Sequence, residues 1–459
     1  MQKHIDLLKG PILPSLGALA IPIMASSLIQ MAYNLTDMIW IGRIGSDAVA
    51  AVGAAGMFMW LSNGLATLAK MGSQIKVGQS LGRDDRIKAS HYAHGALILG
   101  VFFAFIFAMI CICFGKSLIL FFQLNSPQVI ADAHLYLLIT CGLVIFSFLN
   151  QIYTGIFTAM GNSRTTFIAT AIGLVLNILL DPLLIFGFGA IPSLRVAGAA
   201  IATVLAQAVV TLLLFIAARQ DEVVFPFVHF FSIPDRKAII EILRLGFPTA
   251  IQSMLFSCIS MVIARLIAGW GDGAIAVQKV GSQIESISWM SAEGYGAALN
   301  TFTAQNCGAQ NPKRIEQGLK ISLKVMLGWG LFTTLLLLLF PGVIFRFFIN
   351  EADLLPLGVD YLRILGLSQA FMCLEYTAAS LFNGLGHTLP PSIVSITLTA
   401  SRIPLAFLLS QLLGLNGVWW ALTITSYAKG LVLYGWLLKK KKEPSFLYKA
   451  PAPLISDQQ

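Results

Sequence analysis

Apolar residues along this chain gather into long runs, separated by short polar turns that carry most of the charge. Runs fall near 13–41, 47–72, 92–115, 130–158, 165–188, 196–218, 238–268, 273–302, 319–344, 356–383, 390–413 and 417–438. Each suffices for a helix across a hydrocarbon layer ~30 Å thick, which needs roughly 20 residues at 1.5 Å per residue. Backbone polar groups find no partner in lipid, so runs of this length must close their hydrogen bonds internally as helices. The pattern predicts an all-α polytopic membrane protein with about twelve transmembrane helices.

The runs repeat. Pro22 and Pro248, Gly45 and Gly271, Gln79 and Gln305, and Gly82 and Gly308 each lie 226 residues apart, as do Ala48 and Ala274. Phe157 and Gly161 meet Phe382 and Gly386 at 225, Pro182 meets Pro404 at 222, and Gly198 meets Gly417 at 219. An even number of spans per repeat gives two parallel, pseudo-symmetric six-helix bundles related by an axis along the membrane normal. The expected units are residues 1–218, a linker at 219–244 with Pro226 and Pro234, and residues 245–459 with a basic tail.

Composition agrees with lipid as the partner. The chain is 57% apolar and 11% charged, with a net charge of +9, and its mean hydropathy is +0.80. The basic residues occupy alternate loops: Lys76, Arg83, Arg86 and Lys88, then Arg164, then Arg219, Arg236, Lys237 and Arg244, then Lys313, Arg314 and Lys320, and finally Lys439 to Lys442. The positive-inside rule then places both termini in the cytoplasm. Scattered over short loops, these cations form no single face for a nucleic acid. The start, Met1 to Lys9, does not read as a cleavable signal peptide. The six cysteines (111, 113, 141, 258, 307 and 373) lie in or beside apolar runs with no Cys-x-x-Cys pair, and read as small core residues. No phosphate loop, metal spacing or nucleophile triad is present in the sequence, so neither an enzyme nor a cofactor is expected.

Against this background two carboxylates stand out, Asp37 in the first span and Asp181 in the fifth. An ionisable group in mid-membrane costs about 2.5–3.5 kcal/mol on insertion scales, which marks both as candidates for transport chemistry. Tyr33 sits four residues before Asp37 and Asn177 four before Asp181, so each pair shares a helix face; Asn34 lies three before Asp37. Thr203 adds a hydroxyl, Tyr136 a phenol and Asn150 an amide. Oxygen ligands of this kind suit a hard monovalent cation or carry a proton. For Thr203, Tyr136 and Asn150 the alternative is helix-to-helix glue. Pro22, upstream in the first span, deprives the carbonyl of Ala18 of its usual donor and predicts a bending point.

The second half departs from this design, because the place of Asp37 falls to Ile263 and that of Asp181 to Ile403. Its charges are Arg265, Lys279, Glu285, Glu293, Glu375, Arg402 and Lys429, read mainly as mutual ion pairs. Glu285 is the one expected to face a cavity, and intramembrane cations are expected only in this half.

With twelve spans in two halves, the Gln-x-x-Gly turns at 79–82 and 305–308, Pro22 fifteen residues before Asp37, and the Asn177-x-x-x-Asp181-Pro182 block followed by Gly198 to Thr203, the whole chain resembles the multidrug and toxic compound extrusion transporters, in particular their DinF-like branch. The resemblance implies export of bulky, often cationic organic compounds by alternating access, coupled to H⁺ or Na⁺, from the inner membrane of a prokaryote, by a protein working as a monomer. It implies that Asp37 and Asp181 carry the coupling cation, with Asn177 and Thr203 as further ligands (the set that would hold Na⁺), that Tyr136 and Asn150 support them, and that Pro22 bends the first helix. Two alternatives remain at this point: a flippase for a lipid-linked sugar from the same superfamily, which calls for free cavity cations to hold a pyrophosphate, and a non-transporting receptor or channel scaffold.

Overall fold

The computed structural model describes residues 4–122, 126–187, 189, 192–228, 232, 234–348 and 353–447. Residues 1–3 of the polar start, Phe188 of the fifth span, residues 229–231 and 233 of the linker, and the tail from 448 lie outside them. The first half contains α1 (Ile12–Gly42), α2 (Ser46–Gly82), α3 (Arg86–Leu120), α4 (Pro127–Gly142), α5 (Ile145–Ala159), α6 (Ser163–Phe186) and α7 (Arg195–Arg219). The second contains α8 (Arg236–Ala268), α9 (Asp272–Gly308), α10 (Pro312–Leu339), the short α11 (Pro341–Arg346), α12 (Leu355–Gly366), α13 (Gln369–Gly384), α14 (Leu389–Ala400), α15 (Arg402–Leu413), α16 (Leu415–Lys440) and α17 (Pro444–Leu447). Among the described residues there is no strand.

Eight single helices are long and apolar enough to span, with α14 and α15 counted as one, and two bent pairs act as broken spans. The more polar α9 and α16 complete about twelve. The breaks fall at equivalent places, 43° between α4 and α5 and 41° between α12 and α13. Helix α8 already begins at Arg236, inside the stretch assigned to the linker, because the Asp235 side chain accepts from Lys237 N and caps it.

The repeat extends to backbone conformation. Asp84 and Gln310, 226 residues apart, both adopt a left-handed backbone (φ 59° and 53°). The next residues, Asp85 and Asn311, cap α3 and α10 through Lys88 N and Arg314 N. Two copies of one turn chemistry thus restart the chain identically after the second span of each half. At Gly161 and Gly386 the backbone is again left-handed (φ 78° and 83°), a conformation glycine adopts without a Cβ penalty.

Each bundle turns its own apolar cluster inward. One in the first half joins Ala51, Phe107, Tyr136 and Phe148; its counterpart joins Ile263, Val277, Tyr361 and Trp419. Outward faces carry exposed Phe102, Phe105 and Phe114 on α3 and Leu331, Leu335 and Leu339 on α10. In water such belts would be a liability; here they contact lipid tails. Four of the cysteines are buried, whereas Cys113 and Cys258 are exposed, so the expectation of core packing fails for those two. A small thiol is apolar enough for a lipid-facing position, which the sequence does not distinguish from the core.

The bundles meet at the ends bearing the basic loops, hereafter the basic face. There α2 crosses α9: a Cβ on Gly82 would collide with the carbonyl of Gln305, and one on Gly308 with the carbonyl of Gln79. Only glycine allows two backbones so close. Nearby, Gln74 Nε2 donates to Ala297 O (3.3 Å) and Thr301 Oγ1 (3.1 Å). The segment before α1 threads the same junction, with Ile5 N donating to Gly161 O (3.2 Å) and Arg314 Nε and Asn306 Nδ2 each donating to Leu7 O (3.1 Å). Further from the basic face α1 still touches α9, where Ser286 Oγ donates to Met31 Sδ (3.2 Å), while Gly53, Gly56 and Gly271 have open space around them.

Candidate functional site

Within the first bundle, α1, α4, α6 and α7 bring the sequence candidates together. Tyr33 Oη and Thr203 Oγ1 lie 3.0 Å apart, tying α1 to α7. The Tyr136 phenol approaches the same Thr203 hydroxyl and lies within electrostatic reach of Tyr33, Asp37 and Asp181. Asp181 lies within electrostatic reach of Asp37. Their backbone placement follows from helix periodicity: Tyr33 and Asp37 present one face of α1, Asn177 and Asp181 one face of α6.

Satisfaction of these groups is unusual. Asp181 is fully buried and Asn177 is 1% exposed. Neither Asp181 oxygen has a hydrogen-bond partner, nor has either polar atom of the Asn177 amide, nor the inward-facing Oδ1 of Asp37. Buried polar atoms are normally paired, so five orphans in one cluster demand an explanation. Among the described residues no Lys or Arg bridges either acid. Two carboxylates, an amide and a hydroxyl form a donor set matched to H⁺ or a hard monovalent cation, whose arrival would neutralise the charge and fill the empty coordination of the oxygens.

Other candidates are placed elsewhere. Asn150 uses its amide on α7, donating to Gln207 O (3.0 Å) and accepting from Thr211 Oγ1 (2.8 Å), so it joins helices and leaves no free polar edge. Asn34 is exposed on α1 and accepts from Gln30 Nε2 at 3.5 Å. Glu285 turns into the second bundle, accepting from Gln369 Nε2 (3.2 Å) and from Tyr361 Oη (3.5 Å). Close by, Lys429 Nζ pairs with Glu375 Oε2 at 3.0 Å, and Arg402 donates to Thr425 and Ser426. Pro22 lies inside α1, where Ser26 Oγ donates to its carbonyl (2.9 Å). Ile263, the counterpart of Asp37, is buried among Ile259 and Ile267.

Lys70 contradicts the expectation that intramembrane cations are confined to the second half. The second apolar run reads as ending near residue 72, which makes Lys70 look like a flanking charge. In fact α2 continues to Gly82, leaving Lys70 twelve residues inside its end. Separately, a purely apolar hollow of about 220 Å³ between α2, α3 and Met254 of α8 shares no residue with the carboxylate cluster.

Two bundles of six spans, one of them holding a pair of acids that no Lys or Arg bridges among the described residues, make the architecture of a membrane transporter. The MatE family model matches residues 22–183 and again 248–408, and the chain belongs to that family. The two matched stretches begin at Pro22 and Pro248, in register with the internal repeat. The chain is 29% identical over 410 residues to the probable multidrug resistance protein NorM of Thermotoga maritima, covering 87% of each. It is 23% identical to the multidrug export protein MepA of Staphylococcus saprophyticus, over 93% of this chain and 94% of that one. A solved structure described as the outward-facing conformation of a multidrug resistance MATE family transporter superposes with a TM-score of 0.89 at 24% identity, covering 98% of this chain and 99% of that one.

Proposed function

We propose that this protein is a multidrug exporter that exchanges bulky organic compounds for H⁺ or Na⁺ by alternating access. The observation that carries the reading is the cluster of partnerless buried oxygens at Asp37 and Asp181, found in one bundle and replaced by Ile263 and Ile403 in the other. The names of the relatives support the export of drugs, and the chemistry of the cluster supports coupling to a cation. In this reading the basic face lies in the cytoplasm, following the positive-inside rule, a cleft between the bundles opens outward, and the halves 1–218 and 245–459 rock about the α2–α9 crossing in a single chain.

Charged, the two acids favour the state in which an organic cation or polar compound occupies the cleft. Taking up H⁺ or Na⁺ from outside removes the repulsion between them, lets α1 bend near Pro22, and weakens the hold on the cargo. One monovalent cation falling through 100 mV supplies about 2.3 kcal/mol, and one pH unit adds about 1.4 kcal/mol per proton. Together they sustain a gradient of a neutral substrate of roughly five-hundredfold.

A lipid-linked sugar flippase is less well supported, because it calls for several free cations to hold a pyrophosphate, and Arg402 and Lys429 of the second bundle are already engaged by Thr425, Ser426 and Glu375. The test is dye efflux from cells expressing Asp37→Asn or Asp181→Asn, with external Na⁺ exchanged for choline at fixed pH. Ion-driven export should vanish in both variants, and the choline arm identifies the ion. Undiminished export by both variants rejects the mechanism.

A further inference from the structure

Glu293 is an exposed carboxylate in the middle of α9, with no hydrogen bond or ion pair among the described residues. Its direction is fixed by its neighbours in the helix. Ala297 and Thr301, one and two turns further on, accept from Gln74 of α2, and residues four apart share a face. Glu293 therefore lies on the side of α9 that faces α2, one turn from the Gln74 contact. On α2 the residue one turn above Gln74 is Lys70, and its charge is felt at Glu293 although the two form no ion pair. Gly294 packs on Met24 of α1, which fixes the rotation of α9 at this level.

Aromatic groups complete the setting. Trp289 lies one turn above Glu293 on the same face and is half-buried. Tyr376 of α13, also half-buried, is within electrostatic reach of Glu293, and α13 is held against α9 where Gly296 meets Ser380. An unpaired carboxylate with an indole one turn away and a phenol within electrostatic reach suits a desolvated organic cation, through charge and through the negative faces of the rings. A small inorganic cation fits poorly, since Glu293 has no second carboxylate or clustered carbonyls beside it to replace a hydration shell.

We propose that Trp289, Glu293 and Tyr376 form the subsite of the second bundle that takes the positive centre of an aromatic organic cation, and that Lys70 opposes it from the first bundle as a competing charge. The inference rests on the export function above and adds where the cargo's charge sits. It assigns opposite effects to two residues on opposite walls: removing the acid weakens cation binding, and removing the lysine strengthens it. A pair serving only to hold the bundles together would weaken binding whichever member were lost.

The experiment is equilibrium binding of tetraphenylphosphonium and, separately, of a neutral aromatic drug to the purified full-length protein in nanodiscs. For Glu293→Gln the account expects about tenfold weaker tetraphenylphosphonium binding, with neutral-drug binding within about twofold of the parent. Lys70→Met should bind the cation about threefold or more tightly. Glu293→Asp, which keeps the charge, should retain most of the affinity and so controls for folding. Unchanged cation affinity in Glu293→Gln, or a loss in Lys70→Met, overturns the subsite while leaving the export function standing. If the parent protein neither binds the cation nor moves any drug in vesicles, the export reading falls as well.

Discussion

Gln79 and Gln305 occupy equivalent places in the two bundles, and each reaches into the other bundle to an equivalent acceptor. Gln79 Nε2 donates to Gly384 O at 3.0 Å, and Gln305 Nε2 donates to Ala159 O at 2.7 Å. The acceptors are themselves 225 residues apart, so the pair forms a two-fold latch across the basic face. Gly82 and Gly308 let the latch close, since a Cβ at either would collide with the opposing glutamine's carbonyl.

The latch holds the observed state, so weakening it should open the basic face. Losing one such buried bond costs about 1 kcal/mol. Gln79→Leu with Gln305→Leu should lengthen spin-label distances between loops at Arg83 and Lys313. Gly82→Ala should act more strongly, because it pushes backbones apart. Distances unchanged in both variants would show that other contacts close the cleft.

Pro22 should trade stability for motion. It stands inside α1 and removes a backbone bond from a helix interior, where proline costs about 3 kcal/mol. Pro22→Ala is expected to melt at the same temperature or higher, yet to export more slowly while still binding the coupling ion. A variant that exports at the parental rate would remove the hinge from the mechanism.

Asp181 should behave as a functional group held at the expense of the fold. A buried carboxylate without a hydrogen-bond partner costs stability, which an apolar residue of similar volume does not. Asp181→Leu imitates Ile403 of the other bundle, and should raise the melting temperature while abolishing ion-driven export. A strongly destabilised but folded and active variant would contradict this assignment.

The ion pair between Glu375 and Lys429 should show the opposite pattern. Breaking a buried pair leaves an uncompensated charge, at a cost of about 3–5 kcal/mol. Glu375→Gln alone should therefore lower the melting temperature markedly, and adding Lys429→Met should recover most of the loss. Thermal melts of the two single variants and the double variant measure this directly.

Much of this architecture is legible in the chain because lipid leaves few options. Runs of twenty apolar residues must be helices, and the 226-residue offset of Pro22, Gly45, Gln79 and Gly82 carries both bundles. Asp37 and Asp181 were legible for the same reason, as charges where charge is expensive. What the sequence does not carry is rotation and crossing. Asn150 and Asp181 are both polar residues in spans, and only the facing helix shows that the first is satisfied by Gln207 and Thr211 while the second is not. Lys70 was hidden because the apolar run stops before the helix does. Its spacing of four from Gln74 was the available signal, but that spacing acquires meaning only once Gln74 is seen against Ala297.

The central claim is that cargo and coupling cation compete through Asp37 and Asp181, and cation release on substrate binding tests it most directly. Purified protein in weakly buffered solution is mixed with a saturating transported drug, and liberated H⁺ and Na⁺ are recorded together. The account predicts release of one or the other cation by the parent protein and none by the Asp37→Asn, Asp181→Asn double variant. Equal release by the double variant would place the coupling site elsewhere.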